Sequence, residues 1–273
     1  MVNVFVSVQD VEFGKTKWID TRFSLQDINQ GKVNYSESHV SGSVYWDLSR
    51  DLSDMTKSEG RHPMPDKEAL TDLFRESGLE INDHIVVYDA GGSPFAARGW
   101  WLLQYAGFKK SFIALEGFQK MIEIGIPVDN ATPNLIQTSV VPIWDENIYA
   151  SREFVEKIVA GEAASTLVDA RSAERYRGET EAIDPIAGRI PGALNFDWDR
   201  LKKEGLYRMD DSVKIELTNT MNPAEEVTVY CGSGVTAAPL YAMLTHNGFE
   251  NVRLYVGSYS DWISRENVEV DKG

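Results

Sequence analysis

The chain has 273 residues, of which 42% are hydrophobic and 11% aromatic, enough for two domains of ordinary size, each with its own core. Its 42 acidic side chains against 27 basic ones leave a formal net charge of −15, which argues against nucleic-acid binding, because neutralising phosphates takes a basic surface. One cysteine excludes an internal disulfide framework and points to a reducing, cytoplasmic compartment, in keeping with an opening (Met1-Val2-Asn3-Val4-Phe5-Val6) that lacks an export signal and with the absence of any run long enough to span a membrane.

In chain order, the first strand-like signal of note is Trp18-Ile19-Asp20-Thr21-Arg22. It is followed by His39-Val40-Ser41-Gly42-Ser43-Val44-Tyr45-Trp46-Asp47, by the apolar run Ile85-Val86-Val87-Tyr88 breaking into Asp89-Ala90-Gly91-Gly92, and by a helical stretch from Ala96 to Tyr105. Pro127-Val128-Asp129-Asn130-Ala131-Thr132-Pro133-Asn134 is turn-rich and lacks periodicity, the mark of a connecting segment. Beyond it the pattern returns. Leu167-Val168-Asp169-Ala170-Arg171 echoes the segment at Trp18, and Arg189-Ile190-Pro191-Gly192-Ala193-Leu194-Asn195-Phe196-Asp197 echoes the one at His39. Val227 to Gly234 echoes Ile85 to Gly92, and a helical stretch from Thr236 to Thr245 follows. Blocks recurring in one order at a spacing of roughly 140 to 150 residues mean a duplicated domain, since the period far exceeds that of a solenoid unit. Short β-branched strands alternating with helices predict, in each copy, an α/β fold with a mainly parallel sheet flanked by helices. The expected boundaries are 1–130 for the first domain, 131–145 for the linker and 146–273 for the second domain.

The two copies differ where the chemistry would lie. The sole cysteine, Cys231, ends the apolar run Val227-Thr228-Val229-Tyr230 and opens Gly232-Ser233-Gly234-Val235-Thr236-Ala237. A lone cysteine is more often a small buried hydrophobe than a nucleophile. A glycine-rich turn before a helix nevertheless presents inward-facing amides and a positive helix end, the surroundings that stabilise a thiolate. Asp89 stands at the equivalent position of the first copy. A carboxylate cannot carry a transferable sulfur, so the first copy is expected to be non-catalytic and to supply a wall of the site.

These residues resemble those of the rhodanese family of sulfurtransferases, and among them the tandem-domain mercaptopyruvate enzymes. The match rests on the loop Cys231 to Ala237, the entry Asp169-Ala170-Arg171, Gly188-Arg189-Ile190-Pro191-Gly192-Ala193 and Gly257-Ser258-Tyr259-Ser260-Asp261-Trp262, and it extends over nearly the whole chain. The resemblance implies a sulfane sulfur passing from a donor through a Cys231 persulfide to a thiol, cyanide or a thioredoxin-type acceptor. The loop positions Gly232, Gly234, Val235, Thr236 and Ala237 would hold the anion. It implies no metal and no cofactor beyond the persulfide, and four histidines at 39, 62, 84 and 246 give no metal-ligand spacing of their own. A neutral Gly232-Ser233 resembles the mercaptopyruvate enzymes more than the thiosulfate ones, whose loops carry basic residues, although thiosulfate stays open as the donor. The donor's carboxylate then calls for an arginine, with Arg175, Arg177 and Arg189 as candidates. Family members carry a further arginine before the Gly-His-Ile-Pro-Gly segment; here Glu181-Ala182-Ile183-Asp184 stands there and Arg189 replaces the histidine. By the same resemblance Ser233, His62 and an acid form a proton relay, with Asp51 assigned as the acid and Asp47 the alternative. Arg171, two residues from Asp169, reads as a structural ion pair.

Three other readings are weaker. A Cys-x5-Arg phosphatase needs an arginine at 237, where this chain has Ala237. Gly232 to Ala237 also fits a dinucleotide fingerprint, but only about forty residues follow it, too few for the rest of that fold. A persulfide carrier without turnover is the non-enzymatic alternative.

Overall fold

The computed structural model describes residues 3–266 and 268–273. Met1 and Val2, the start of the segment read for an export signal, and Asn267 lie outside the described residues. Two five-stranded sheets carry the fold. From edge to edge the first runs Phe5–Val6, Ser111–Ala114, His84–Tyr88, Thr16–Asp20, Val44–Tyr45, and the second Tyr149–Ala150, Val252–Tyr255, Val227–Tyr230, Thr166–Asp169, Leu194–Asn195. Every pairing in both is parallel, and corresponding strands take corresponding places, so the duplication read in the sequence is a duplication of topology. Parallel sheets need cover on both faces, which is why their strands read as continuous apolar runs rather than alternating ones. The helices supply that cover.

The repeat extends to single atoms. Asp20 sits beside Tyr88 and Asp169 beside Tyr230 in the registers of the two sheets. Buried Arg22 holds Asp20 through Nε and Nη2 and donates from Nη2 to the Ser38 carbonyl at 2.6 Å. Arg171 holds Asp169 in the same way and donates to the Gly188 carbonyl at 2.7 Å. The Tyr88 hydroxyl accepts the Val40 amide and the Tyr230 hydroxyl accepts the Ile190 amide. Arg171 is therefore a clamp that fixes the entry to the second sheet, and the neighbouring acid offsets the cost of burying its charge.

The two halves pack through equivalent helices. Phe95–Tyr105 and Ala237–His246 are apolar on nearly all sides, the pattern of a helix enclosed by protein. Each lies on its own sheet and on the other helix, with Trp100 and Trp101 both against the Tyr241 ring. The second helix begins at Ala237, one residue after the Thr236 that the sequence suggests, and Gly234, at φ +73°, keeps the turn before it out of a right-handed helix. Residues 130–145 form no helix or strand. They run along the first half, where the Thr138, Ile143 and Asp145 amides donate to the carbonyls of Arg75, Ala106 and Tyr105.

Beyond this contact, each half extends an arm over the other's loop. In the second half the antiparallel pair Lys202–Lys203 and Leu206–Tyr207 reaches the first half's Asp89 loop. The Tyr207 hydroxyl donates to the Ser93 carbonyl at 2.7 Å, and a Cβ on Gly92 would collide with the Gly205 carbonyl. In the first half the stretch from Gly60 to His62 reaches the Cys231 loop in return.

Candidate active site

Strand Val227–Tyr230 ends at Cys231, whose side chain is buried. The backbone of the loop is stitched to the turn after the next strand. The Cys231 amide donates to Ser258 Oγ at 3.1 Å, the Cys231 carbonyl accepts the Tyr259 amide, and the Gly232 carbonyl accepts the Ser260 amide. Ser258 takes φ +57°, an uncommon conformation for a residue with a side chain, and its hydroxyl donates to the Tyr255 carbonyl at 2.8 Å. Gly234 leans on the same turn, where a Cβ would collide with the Val256 carbonyl. No hydrogen bond among the described residues uses the amides of residues 232–236.

The first half shows what such a loop holds. Gly92, at the place of Gly234, also has a positive φ. There the Asp89 carboxylate accepts the Gly91 amide at 2.8 Å and the Ala96 amide at 3.0 Å. Burial raises its pKa to about 6 against the lowering effect of those amides. The first half's loop thus cradles an anion at its first position, and the like-turned loop of the second half has Cys231 at that position with the amides of residues 232–236 unpaired among the described residues.

Four groups surround Cys231. His62 Nδ1 lies 2.9 Å from Ser233 Oγ. Burial, then the charges of Arg98 and Arg61, bring the His62 pKa down to about 4, so the ring is neutral at physiological pH. Arg61 and Arg175 converge over Gly232, where a Cβ would lie 2.5 Å from Arg61 Nη2 and 3.6 Å from both terminal nitrogens of Arg175. A side chain at 232 would push Arg61 from its present place. Arg98 rises from the first half's central helix, fully buried. Its Nη2 donates to the Leu52 carbonyl at 3.0 Å, while Nε and Nη1 have no partner among the described residues. Burial lowers the Arg98 pKa to about 10 against an opposing pull from Cys231. Two buried acids balance these cations. Glu181 accepts from Arg175 Nε and Nη2, and Asp184 accepts from Arg175 Nη2 at 3.0 Å and from Arg61.

The structure brings Ser233, His62 and Arg175 together at Cys231 and takes other expected residues elsewhere. Asp51 accepts the Asp47 amide at 2.7 Å and pairs with Arg50, and Asp47 accepts the Ser49 and Arg50 amides. Both acids serve their own turn and neither hydrogen-bonds His62, so the acid of the expected relay is absent from this arrangement. Arg177 is half-exposed and pairs with Glu179. Arg189 lies over the Tyr176 ring and donates to the carbonyls of Tyr176 and Gly273, because an antiparallel bridge between Arg189 and Asp271 draws that segment to the chain's end. Arg177 and Arg189 are therefore corrected from donor anchors to surface and tail contacts. Arg61 and Arg98 also stand at the site, although no motif in the sequence singles them out. Two signals were available: Arg61 adjoins His62, and Arg98 is the one charge in an otherwise apolar helix.

A cleft of about 410 Å³ between the halves, lined among others by Lys57, Met64, Tyr149 and Arg152, opens against Val256 and Gly257. Cys231 is not on its wall. Among the described residues no cluster of three or more His, Cys, Asp or Glu side chains is arranged to hold a metal, and no helix is long and apolar enough to cross a membrane.

Comparison with known proteins agrees with this geometry. Residues 8–123 and 151–265 each match the model of the rhodanese-like domain. A protein of Pseudomonas aeruginosa named "Probable 3-mercaptopyruvate sulfurtransferase" is 34% identical over 252 residues, 90% of this chain and 88% of that protein. A thiosulfate sulfurtransferase of Corynebacterium glutamicum is 27% identical over 94% of this chain and 89% of its own length. Among solved structures, SseA from Escherichia coli, a 3-mercaptopyruvate sulfotransferase of rhodanese fold, superposes with a TM-score of 0.79 at 26% identity over 94% of this chain and 99% of that one. The chain belongs to the rhodanese-like family as two tandem domains. It is an enzyme of the sulfurtransferase class.

Proposed function

We propose that the chain takes a sulfane sulfur from 3-mercaptopyruvate onto Cys231 and passes it to a thiol, cyanide or a thioredoxin-type acceptor. The observation that carries this reading is the pair of like-shaped loops. The amide of Gly91 points at a fixed carboxylate in the first half, and the corresponding amide of Ser233 is unused beside the cysteine in the second.

In the proposed cycle the Cys231 thiolate attacks the donor sulfur. An S–S bond forms, the donor C–S bond breaks with its electron pair, and pyruvate leaves as the enolate. Ser233 passes a proton to that enolate and regains one from His62 Nδ1, 2.9 Å away, while the ring's other nitrogen takes up a proton from solvent, so the ring is neutral before and after. Amides of residues 232–237 hold the charge on the sulfur, and Arg175 holds the donor's carboxylate. The acceptor thiolate then attacks the outer sulfur of the persulfide, which restores the Cys231 thiolate. The cycle calls on no metal and no organic cofactor. The sole cysteine suits a reducing cytoplasm, and the acidic surface suits small-molecule and protein-thiol partners rather than nucleic acid.

A second donor has one observation in its favour. Arg61 and Arg98 surround a loop whose own side chains are neutral, and their charge would also attract the thiosulfate dianion. The deciding measurement is kcat/KM for 3-mercaptopyruvate and for thiosulfate with one acceptor, in wild type and Cys231→Ser. The expected result is a preference for mercaptopyruvate that vanishes in Cys231→Ser, because serine nearly matches the shape but forms no persulfide. Turnover retained by that variant would sink the mechanism.

A further inference from the structure

Asp184 makes an unusual pair of contacts. One of its oxygens is bound to Arg61 of the first half and the other to Arg175 of the second, and its side chain is only 2% exposed. Both guanidinium groups point at the place where Gly232 lacks a Cβ, beside the Cys231 thiol. The site thus already contains one carboxylate bridging two arginines next to the reactive sulfur. We propose that Arg61 is a second donor-anchoring residue and that Asp184 is a built-in stand-in, which occupies the arginine pair until the carboxylate of the donor takes its place on Arg61. This rests on the sulfur-transfer reading above and deepens it, since it names the group the donor must carry.

Three observations support the exchange. Cys231 is 1% exposed, so a donor reaches its sulfur only if part of the cover moves. Of the two covering arginines, Arg61 is the freer. Its side chain is 30% exposed and its one charged partner is Asp184, whereas Arg175 is also gripped through two nitrogens by Glu181. Asp184 keeps Arg175 when Arg61 leaves, so no buried carboxylate is stranded, the situation in which breaking an ion pair is expensive. The stand-in also predicts the shape of the ligand. A guanidinium fork matches a planar carboxylate in two-point contact, and Asp184 shows that the space accepts one. A carboxylate-bearing thiol such as mercaptopyruvate is therefore favoured over a tetrahedral sulfur oxyanion.

The test uses alkylation of Cys231 by neutral iodoacetamide at fixed pH, with pyruvate as a protecting carboxylate that carries no sulfur. If Arg61 is a latched cover, Asp184→Asn and Arg61→Ala both speed alkylation, each by about fivefold, as expected when a single partly exposed ion pair holds the cover down. If the pair acts only through its charge, the two variants move the rate in opposite directions, because one removes a negative charge and the other a positive one. That result, or unchanged rates, overturns the proposal. Pyruvate should protect Asp184→Asn at about one tenth of the concentration needed for wild type and should lose most of its protection in Arg61→Ala, with partial recovery in Arg61→Lys. Equal protection of wild type and Arg61→Ala also overturns it. Should Asp184→Asn fail to fold, Arg61→Ala decides alone, since its side chain is partly exposed. None of these readouts requires sulfur transfer, so correct alkylation behaviour in a protein that forms no persulfide would reject the function and leave the anchor standing.

Discussion

Holding His62 neutral inside the site has a measurable cost in acid. The ring titrates at 6.5 in an unfolded chain and at about 4 in the folded protein, chiefly because it is buried and then because Arg98 and Arg61 are near. Between those values the unfolded chain binds a proton that the folded protein refuses. Stability contributed by the neutral ring is therefore complete above 6.5 and is lost as pH falls towards 4. At about 1.4 kcal/mol per pH unit the loss amounts to roughly 3 kcal/mol. Asp89 works in the opposite sense, because its raised pKa of about 6 makes the folded state the better proton binder as pH falls below that value. The raw pH dependence of stability therefore mixes the two groups, and His62→Gln separates them. Urea unfolding of wild type and His62→Gln at pH 7, 6, 5 and 4 should show wild type losing about 3 kcal/mol more than the variant across that range. Parallel curves for the two proteins would refute the argument and mean that His62 is solvated and free to charge. The same result would remove the neutral ring from the proposed relay.

Two further outcomes follow from the geometry. Gly234→Ala places a Cβ against the Val256 carbonyl in a backbone with φ +73°, so urea unfolding should show a loss on the order of 3 kcal/mol together with reduced Cys231 reactivity. Arg177→Ala and Arg189→Ala should leave KM for mercaptopyruvate within about twofold of wild type, because the pairs they break are exposed; a tenfold rise for either would return that arginine to the site.

Much of this was legible because it is local. A cysteine after an apolar run and before Gly-Ser-Gly specifies a strand, a turn and a helix within a dozen residues, and the alignment of Asp89 with Cys231 holds in the matching loops of the two sheets. Ser233 and His62 came from the resemblance, and their separation of 171 positions along the chain hid their contact from any local pattern. What failed was inference from nearness along the chain. Arg189 adjoins a segment that leads to the site, yet the bridge to Asp271 turns it away. Asp47 and Asp51 are spaced to serve a histidine, but a short turn rich in amides uses their oxygens first. Arg61 escaped because its role depends on which half's arm covers which loop, a property of the assembled pair rather than of either half.

That crossed arrangement gives the duplication a meaning beyond bulk. The half with the cysteine draws His62 and one of its two covering arginines, Arg61, from the other, and the half that supplies them holds a chain-bound carboxylate at the equivalent place. Asp89 is fastened by the amides of Gly91 and Ala96 and roofed by Gly205 and Tyr207 of the other half. A half cut from its sister would consequently lose part of the surroundings of its loop, Cys231 losing His62 and Arg61, and Asp89 the cover of Gly205 and Tyr207.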